Sequence, residues 1–259
     1  MQVLESVINP FGGVVLKPEA LVNDPVRFRE QLRLSLGVCE AEGFKLVWLE
    51  VPISRVRLVP VAVDEGFAFH HAREDYVLLT RRLVERAYIP PFATHYVGVG
   101  GVVLSDAREL LVVSERYRRR GRGPAYKLPG GALHPGEHVM DAAVREVLEE
   151  TGIKTRFESL ACFRHWHGYR YGKSDIYFVC RLSPLSQDIS MQAEEIAECL
   201  WMPVDQYLSA GDVSPFNKRI VRAALESPGV VPSTVDGYGP PEQYEFFMPQ
   251  ENMQGNRGS

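Results

Sequence analysis

The sequence predicts an α/β (α+β) fold in two units of unequal size. Nearly continuous apolar runs alternate with segments whose apolar residues recur every three to four positions, as expected for strands and helices that pack together. The stretch 88–92 contains Pro90 and Pro91 and is the best candidate for a linker. Hydrophobic residues make up 45% and charged residues 24% of the chain, so both units can build ordinary cores.

The first unit, residues 1–90, is predicted to contain an N-capped helix. Asp24 is a capping residue, Pro25 suits the first helical position, and Gly43 ends the helix. Apolar residues recur between these ends at helical spacing, at Phe28, Leu32, Leu36 and Cys39. The other predicted elements are a buried strand, a helix that contains Pro60 and a hairpin, over residues 44–51, 54–65, 67–72 and 76–81.

The second unit, residues 91–227, is predicted to alternate strands with two helices. Strands are expected at residues 95–104, 109–114, 126–129, 157–164, 175–182 and 198–202. Helices are expected at residues 138–151 and 215–225. Residues 228–259 are rich in Pro, Gly and Gln, which predicts an irregular or mobile C-terminal tail.

Charge and cysteine content exclude several classes of protein. The formal net charge is −4, so a strongly basic, nucleic-acid-binding surface is not expected. The sequence lacks an apolar run of membrane-spanning length and the pattern of a signal peptide. The four cysteines have neither zinc-site nor redox-pair spacing, which favours reduced thiols, most of them buried, at Cys39, Cys162, Cys180 and Cys199. A cytoplasmic protein is predicted.

One face of the helix predicted at 138–151 carries three carboxylates. Glu146, Glu149 and Glu150 lie three to four positions apart and therefore share a face. Like charges at this spacing repel one another by roughly 0.2–0.5 kcal/mol per pair, and a solvated acidic face is the simpler alternative. A glycine loop, Gly130-Gly131, precedes the helix. Together they favour a cation site, and oxygen ligands without Cys or His suit Mg²⁺ or Mn²⁺.

The segment from Gly131 to Ile153 resembles the Nudix box, G-x5-E-x7-R-E-U-x-E-E-x-G-U, where U is aliphatic. Every position of the box is matched, by Gly131, Glu137, Arg145, Glu146, Val147, Glu149, Glu150, Gly152 and Ile153. The resemblance implies an α/β/α sandwich with a mixed sheet and an Mg²⁺-dependent hydrolase that cleaves a diphosphate bond in a nucleotide-type substrate.

The resemblance also implies roles for the residues of the box. Glu149 and Glu150 would be the principal metal ligands, and Glu146 would be a further ligand or would orient the attacking water. The carbonyl group of Gly130 or Gly131 would face a metal. Arg145 would hold a helix carboxylate in place, in contrast to the alternative of an ordinary surface ion pair. Glu137 would stabilise the loop near the metal and the substrate.

Residues outside the box add candidates, each with a structural alternative. A loop glutamate of the family often serves as base or extra ligand; Glu195 is the choice here, Glu194 is the alternative, and a solvated acidic turn is the competing interpretation. Lys127, Arg116 and Trp166 are candidates for substrate binding. A cationic lip would be formed by Arg116, Arg118, Arg119, Arg120 and Arg122. Further candidates for a pocket wall or stacking are His165, His167, Tyr169 and Tyr171, whereas His70 and His71 are expected to be structural.

A narrower resemblance spans roughly residues 10–225. It rests on the segments 28–36, 47–52, 65–72, 95–100 and 172–182. They resemble the subgroup that includes plant ADP-ribose/NADH pyrophosphatases and the animal protein encoded antisense to basic fibroblast growth factor. The subgroup implies a small acetyltransferase-like α/β pre-Nudix domain over residues 1–90. It also implies ADP-ribose or NADH as substrate, with AMP and a second phosphorylated product.

Alternatives to this enzyme remain open at the level of sequence. The chain could be a nucleotide-sensing or interaction module with weak or no turnover, which the extra first unit motivates. It could also hydrolyse an RNA 5′ cap or oxidised nucleotides. Because related pyrophosphatases often build the pocket across a dimer, the resemblance implies a homodimer.

Overall fold

The computed structural model describes residues 2–116 and 125–250 of the chain. The chain divides into two compact units, Met1–Thr94 (unit 1) and His95–Ser259 (unit 2). Each unit has its own buried apolar core. In the described ranges, no helix is both long and apolar enough to cross a membrane.

Unit 1 packs helices against a sheet. Its described strands are β1 (Ser6–Asn9), β2 (Gly13–Leu16), β3 (Leu46–Pro52), β4 (Ala68–Ala72) and β5 (Tyr76–Arg82), in the order β1-β2-β3-β5-β4. Helix α1 (Pro25–Ala41) begins as predicted, because the Asp24 carboxylate accepts a hydrogen bond from the N–H of Arg27 at 2.8 Å. Phe28 and Leu32 of α1 are fully buried in the core beside Leu49 of β3.

Two features of unit 1 differ from the sequence prediction. The helix expected at 54–65 is a 3₁₀ helix over Ile53–Leu58 followed by α2 (Val59–Asp64). Proline lacks an N–H and is tolerated only in a first helical turn, so α2 starts where Pro60 can be accommodated. The β1–β2 hairpin has no counterpart in the prediction, because β1 is a short, mostly exposed strand without a regular apolar pattern.

Unit 2 contains the remaining elements. Its described strands are β6 (His95–Val103), β7 (Glu109–Glu115), β8 (Gly130–Ala132), β9 (Thr155–Trp166), β10 (Ser174–Pro184), β11 (Ile196–Pro203), β12 (Val230–Pro232) and β13 (Phe247–Pro249). Its described helices are α3 (Val139–Thr151), α4 (Val204–Ser209) and α5 (Pro215–Glu226). Strands β6 and β10 pair in parallel within the mixed sheet β13-β12-β9-β10-β6-β8, and β7 pairs separately with β11.

The mixed sheet lies between α3 and α5, which confirms the expected α/β/α sandwich. Val147 of α3 packs in one core cluster with Val99 of β6. Val221 of α5 packs in another with Val102 of the same strand. Because successive side chains of a strand point to opposite faces, β6 supplies apolar residues to both layers. The cysteines are free thiols in the structure, and Cys39 and Cys180 are buried.

Two features of unit 2 differ from the sequence prediction. The strand expected at 126–129 is reduced to a single bridge between Lys127 and Val113, and β8 begins only at Gly130. Pro129 has no N–H and cannot donate to a strand ladder. The tail contains two short strands that were not predicted, since β12 pairs with both β9 and β13, and Phe247 packs against the same core cluster as α3.

Candidate active site

Helix α3 turns its small and aliphatic residues toward the sheet and its carboxylates toward β8. Ala142, Ala143 and Val147 are buried beneath the helix. The side chain of Glu146 is 14% exposed, that of Glu150 is 9% exposed, and that of Glu149 is 52% exposed. The helix therefore presents one solvated and two largely buried carboxylates.

Gly152 ends this helix in the left-handed conformation, with φ of 75°. Its N–H donates to the carbonyl of Leu148 at 2.8 Å. A Cβ at this position would lie 2.8 Å from Ser190, so both the backbone angle and the available space require glycine. The glycine thereby fixes the end of α3 one turn beyond its acidic residues.

Glu150 is a buried carboxylate with few compensating contacts. One oxygen accepts a hydrogen bond from the N–H of Gly130 at 2.9 Å, and the other lies 4.0 Å from Nζ of Lys127. Burial raises the pKa of Glu150 to about 7, although Lys127 and the Gly130 N–H act in the opposite direction. Lys127 lies closer to Glu115, at 2.6 Å. The negative charge of Glu150 is therefore poorly neutralised by the protein alone.

Arg145 joins the loop before α3 to the carboxylates on the helix. Its guanidinium donates to Glu137 at 2.6 and 2.8 Å, to Glu146 at 2.9 Å and to Glu149 at 2.9 Å. These bonds raise the pKa of Arg145 above its usual range. They also lower the pKa of Glu137 to about 2, chiefly through Arg145, with a further contribution from the N–H of His134. The ion-pair network holds the acidic face in a defined arrangement.

Gly131 leaves space for the carboxylate of Glu146. A Cβ at Gly131 would lie 2.5–2.6 Å from the carboxylate atoms of Glu146. Such a distance is shorter than any ordinary van der Waals contact, so a side chain at this position would displace the carboxylate. Strand β8 and helix α3 therefore form a close-fitting cradle around one of the predicted ligands.

This cradle suits a hard divalent cation by its chemistry. Glu146, Glu149 and Glu150 offer only oxygen donors, which Mg²⁺ and Mn²⁺ prefer. Over residues 2–116 and 125–250, no three His, Cys, Asp or Glu side chains converge into a ready-made metal-binding group. Instead, Arg145 bridges Glu146 and Glu149. A cation at this face would be coordinated by the two carboxylates that now contact Arg145 and by the buried carboxylate of Glu150.

The predicted loop residues lie near the end of β7. Glu194 and Glu195 occupy an exposed turn immediately before β11. The N–H of Arg116 donates to the carbonyl of Glu195 at 2.8 Å, which sets this turn beside Glu115 and its partner Lys127. The side chain of Arg116 is exposed. The other arginines of the expected cationic lip, Arg118, Arg119, Arg120 and Arg122, lie outside the described residues.

The aromatic and histidine candidates lie at the C-terminal end of β9 and just beyond it. Trp166 is 57% exposed, and the guanidinium carbon of Arg164 lies 5.9 Å from its ring. His165 forms a hydrogen bond with His95 at 2.8 Å, and His167 forms one with Ser174 at 2.9 Å. His165 and His167 lie beside each other, with ring centroids 4.4 Å apart.

The histidines of unit 1 form their own network. His70 and His71 are joined at 2.7 Å between their Nδ1 atoms. His71 also contacts the hydroxyl of Tyr76 at 3.0 Å, and His70 contacts the carbonyl of Pro90 at 2.8 Å. Both histidines therefore form their hydrogen bonds within unit 1.

A cavity of about 210 Å³ beside Lys127 was not predicted from the sequence. It is lined by Glu115, Ala125, Tyr126, Lys127, Asp212, Ser214 and Asn217. The hydroxyl of Tyr126 donates to Glu198 at 2.8 Å. The wall of the cavity combines the end of β7 with the start of α5. These two elements are about a hundred residues apart in sequence, so no local motif could have revealed the cavity. Among the lining residues, Lys127 was predicted from the sequence to bind substrate.

Comparison with known proteins places both units in one family. Residues 4–83 match the model of a Nudix hydrolase domain, and residues 94–224 match that of a NUDIX domain. Nudix hydrolase 8 of Arabidopsis thaliana is 41% identical over 79% of this chain, which spans 56% of that protein. Nudix hydrolase 2 of the same plant is 41% identical over 80% of this chain and 74% of the length of that protein. Nucleoside diphosphate-linked moiety X motif 6 of Homo sapiens is 36% identical over 86% of this chain and 72% of the length of that protein.

Proposed function

Because this chain belongs to the Nudix hydrolase family, we propose that it hydrolyses ADP-ribose or NADH with the help of Mg²⁺. Family members act on nucleoside diphosphate derivatives, generally with a divalent metal. The proposed reaction splits the diphosphate to give AMP and a second phosphorylated product. We further propose that it takes place in the cytoplasm.

The buried carboxylate of Glu150 is the observation that carries this proposal. An ionised carboxylate in an apolar environment is costly unless a cation compensates it. Lys127 lies 4.0 Å away and is shared with Glu115 at 2.6 Å, so its compensation is incomplete. A divalent ion bound here would neutralise both the carboxylate and the phosphate oxygens of the substrate.

The residues of α3 and of the loop before it have two proposed roles. Glu146, Glu149 and Glu150 hold the cation, together with the carbonyl of Gly131. Arg145 and Glu137 keep those carboxylates and the preceding loop in position. Lys127 and Arg116 are proposed to attract the phosphates, Trp166 to stack on a flat group of the substrate, and Glu137 to lie near the bound diphosphate.

In the proposed reaction, the oxygen of a water molecule forms a bond to one phosphorus. The bond from that phosphorus to the bridging oxygen breaks, and the bridging oxygen leaves with the electron pair. A carboxylate accepts the proton of the attacking water. Glu146 is one candidate for this base because it lies in the cradle of Gly131. Glu195 is the other, with Glu194 as its alternative, because their exposed turn adjoins the end of β7.

A hydrolysis screen tests the proposed function directly. Purified protein is incubated with Mg²⁺ and, separately, with ADP-ribose, NADH, an RNA cap analogue and an oxidised nucleoside triphosphate, and the products are identified by mass. We expect AMP from the first two substrates. The matched variants are Glu149→Gln, which should abolish turnover in a folded protein, and Glu226→Gln, on the exposed end of α5, which should not.

Three outcomes of this screen would contradict the proposal or part of it. Full activity of Glu149→Gln would exclude Glu149 as a ligand. Tight binding of one nucleotide without turnover of any would favour a sensing module over an enzyme. Faster cleavage of the cap analogue or the oxidised nucleotide would retain the enzyme class and replace the substrate.

A further inference from the structure

We infer that Glu245, in the C-terminal tail, is a positioning residue that seats the acidic helix α3 and thereby tunes its affinity for the cation. The inference rests on the proposed function of α3 as the metal-binding helix. Residues 228–250 lie beyond the matched NUDIX domain, which ends at residue 224. The tail therefore lies outside the part of the chain that matches the domain model.

The start of α3 lacks a local cap. His138 occupies the capping position, and among the described contacts its side chain makes no hydrogen bond to the helix N–H groups. Asp, Asn, Ser and Thr are the residues that ordinarily accept such bonds. Without a replacement, the first N–H groups of a half-buried helix would have no acceptor in the protein.

Glu245 supplies that acceptor from 106 positions further along the chain. One carboxylate oxygen accepts from the N–H of Val139 at 2.5 Å, and the other accepts from the N–H of Met140 at 3.0 Å. The side chain of Glu245 is 11% exposed, and His138 lies 3.8 Å from it. A carboxylate here also complements the positive end of the helix dipole. The contact is therefore both geometrically specific and electrostatically favourable.

The tail around Glu245 is anchored to the mixed sheet, so it can hold the start of α3 in position. Strand β12 pairs with β9 through Val230 and Leu160, and β13 pairs with β12. The ring of Phe247, two residues after Glu245, lies 5.9 Å from the ring of Phe157. The carboxylate is thus attached to the same sheet that supports α3.

The first turn of α3 sets the direction of its acidic face. Val139 and Glu146 are seven positions apart, which is close to two full helical turns, so they lie on the same face. A shift or rotation at Val139 is carried along the helix to Glu146 and Glu150. Arg145 and Glu137 secure the loop side of the helix, and Glu245 secures its beginning.

Amide exchange and metal binding together test this inference in the full chain. Glu245→Ala should speed hydrogen exchange at Val139 and Met140 by about 3- to 30-fold, the range expected for a lost helix cap. It should weaken Mg²⁺ or Mn²⁺ binding, measured by calorimetry, by about 10-fold, the lower end of the range for residues that orient metal ligands. Glu245→Gln keeps one oxygen acceptor and should lie between Glu245→Ala and the wild type.

Two matched controls separate the positioning of α3 by Glu245 from the mere loss of a negative charge. Glu242→Ala removes an exposed carboxylate from the same tail and should change neither measurement. Asp141→Asn removes a negative charge from the first turn of α3 and leaves the Glu245 contact intact. A loss of metal affinity in Asp141→Asn equal to that in Glu245→Ala would assign the effect to charge and overturn the seating role.

The remaining outcomes distinguish this inference from the proposed function. Unchanged amide exchange and unchanged metal affinity in Glu245→Ala would overturn the inference, whatever the enzyme hydrolyses. Absence of both Mg²⁺ binding and turnover in the wild type would instead overturn the proposed function and the metal part of the inference. Faster exchange at Val139 with unaltered metal affinity would reduce Glu245 to a stabilising cap and would also overturn the positioning role.

Discussion

Both oxygens of Glu137 accept hydrogen bonds from Arg145, at 2.6 Å from Nε and 2.8 Å from Nη2. The two planar groups meet edge to edge, which is the strongest geometry for such a pair. The remaining nitrogen of Arg145 reaches Glu146 and Glu149. A single guanidinium therefore ties the loop before α3 to two of the three carboxylates on its acidic face.

The first prediction concerns the pH dependence of this pair. The pKa of Glu137 falls to about 2 in the folded protein, so the pair stabilises the fold above the ordinary pKa of 4.5 and loses this contribution as the pH falls through about 2. Glu137→Gln should lower the free energy of unfolding by about 1–3 kcal/mol at pH 7 and leave it unchanged near pH 2.

Urea unfolding at several pH values measures this effect. Glu158→Gln is the control, because the Ser183 hydroxyl and then Arg156 also lower the pKa of Glu158, but the side chain of Arg156 is 67% exposed. The control should cost less than about 1 kcal/mol. An equal loss of stability in the two variants would contradict a special role for the Glu137–Arg145 pair.

The second prediction separates stability from activity at Glu150. Because burial raises the pKa of Glu150 to about 7, its contribution to stability is complete below about pH 4.5 and is lost as the pH rises through 7. In EDTA at pH 8, Glu150→Gln should therefore be more stable than the wild type, by about 2–3 kcal/mol. Its turnover with Mg²⁺ should fall by more than about a hundredfold, beyond the loss expected for a mere supporting residue.

Chemical unfolding in EDTA at pH 5 and pH 8, together with a turnover assay, tests this pair of effects. The gain in stability should be large only at the higher pH. A Glu150→Gln variant that is less stable than the wild type at pH 8 would show that Lys127 and Gly130 already compensate the buried charge.

The third prediction concerns the cradle at Gly131. Gly131→Ala places a Cβ within 2.6 Å of the Glu146 carboxylate, so that carboxylate must move. We expect turnover to fall at least about tenfold, with a small loss of stability. Gly211→Ala is the control, because a Cβ there meets nothing within 4 Å. Steady-state kinetics with varied Mg²⁺ would show the shift, and an unaltered Mg²⁺ dependence would count against the cradle.

The fourth prediction assigns Trp166 to substrate binding. Its side chain is 57% exposed, so Trp166→Ala should alter stability by no more than about 0.5 kcal/mol. If the ring stacks on the substrate, KM should rise by roughly tenfold, which corresponds to about 1.4 kcal/mol, while kcat changes little. Initial-rate kinetics gives both constants, and an unaltered KM would leave Trp166 as a surface residue.

The fifth prediction is that the protein is a homodimer. Phe163 on β9 is 65% exposed, and its ring lies 6.0 Å from that of Phe178 on the neighbouring strand β10, so we expect this apolar part of the mixed sheet to be covered in the dimer. Sedimentation at micromolar concentration should give twice the 29.2 kDa of one chain. A Phe163→Glu variant should shift the equilibrium toward the monomer. A wild type that sediments as a monomer would exclude the dimer.

Local sequence signals were sufficient to predict the acidic helix. Glu146, Glu149 and Glu150 are close in sequence, and helical spacing brings them onto one face without any long-range information. Gly152 marks the end of the helix for an equally local reason, its left-handed backbone. Nearly continuous apolar runs likewise predicted most strands, including β6, whose second half is buried on both faces.

Long-range contacts account for what the sequence did not reveal. Glu245 caps α3 from 106 positions away, and no pattern around it indicates an acceptor for helix N–H groups. Strands β12 and β13 are three residues each, too short to have a recognisable period. The cavity beside Lys127 is formed where β7 meets α5. In each case tertiary pairing, which a local pattern does not record, decides the structure.

The parallel pairing of β6 with β10 has a consequence for the order of folding. His95 and Ser174 stand opposite each other in the register and are 79 residues apart, whereas β9 and β10 are joined by a short connection. The hairpin of β9 and β10 can form quickly, but closing so long a loop to add β6 is slow. We expect β6 to join the sheet late and to limit the refolding rate of unit 2.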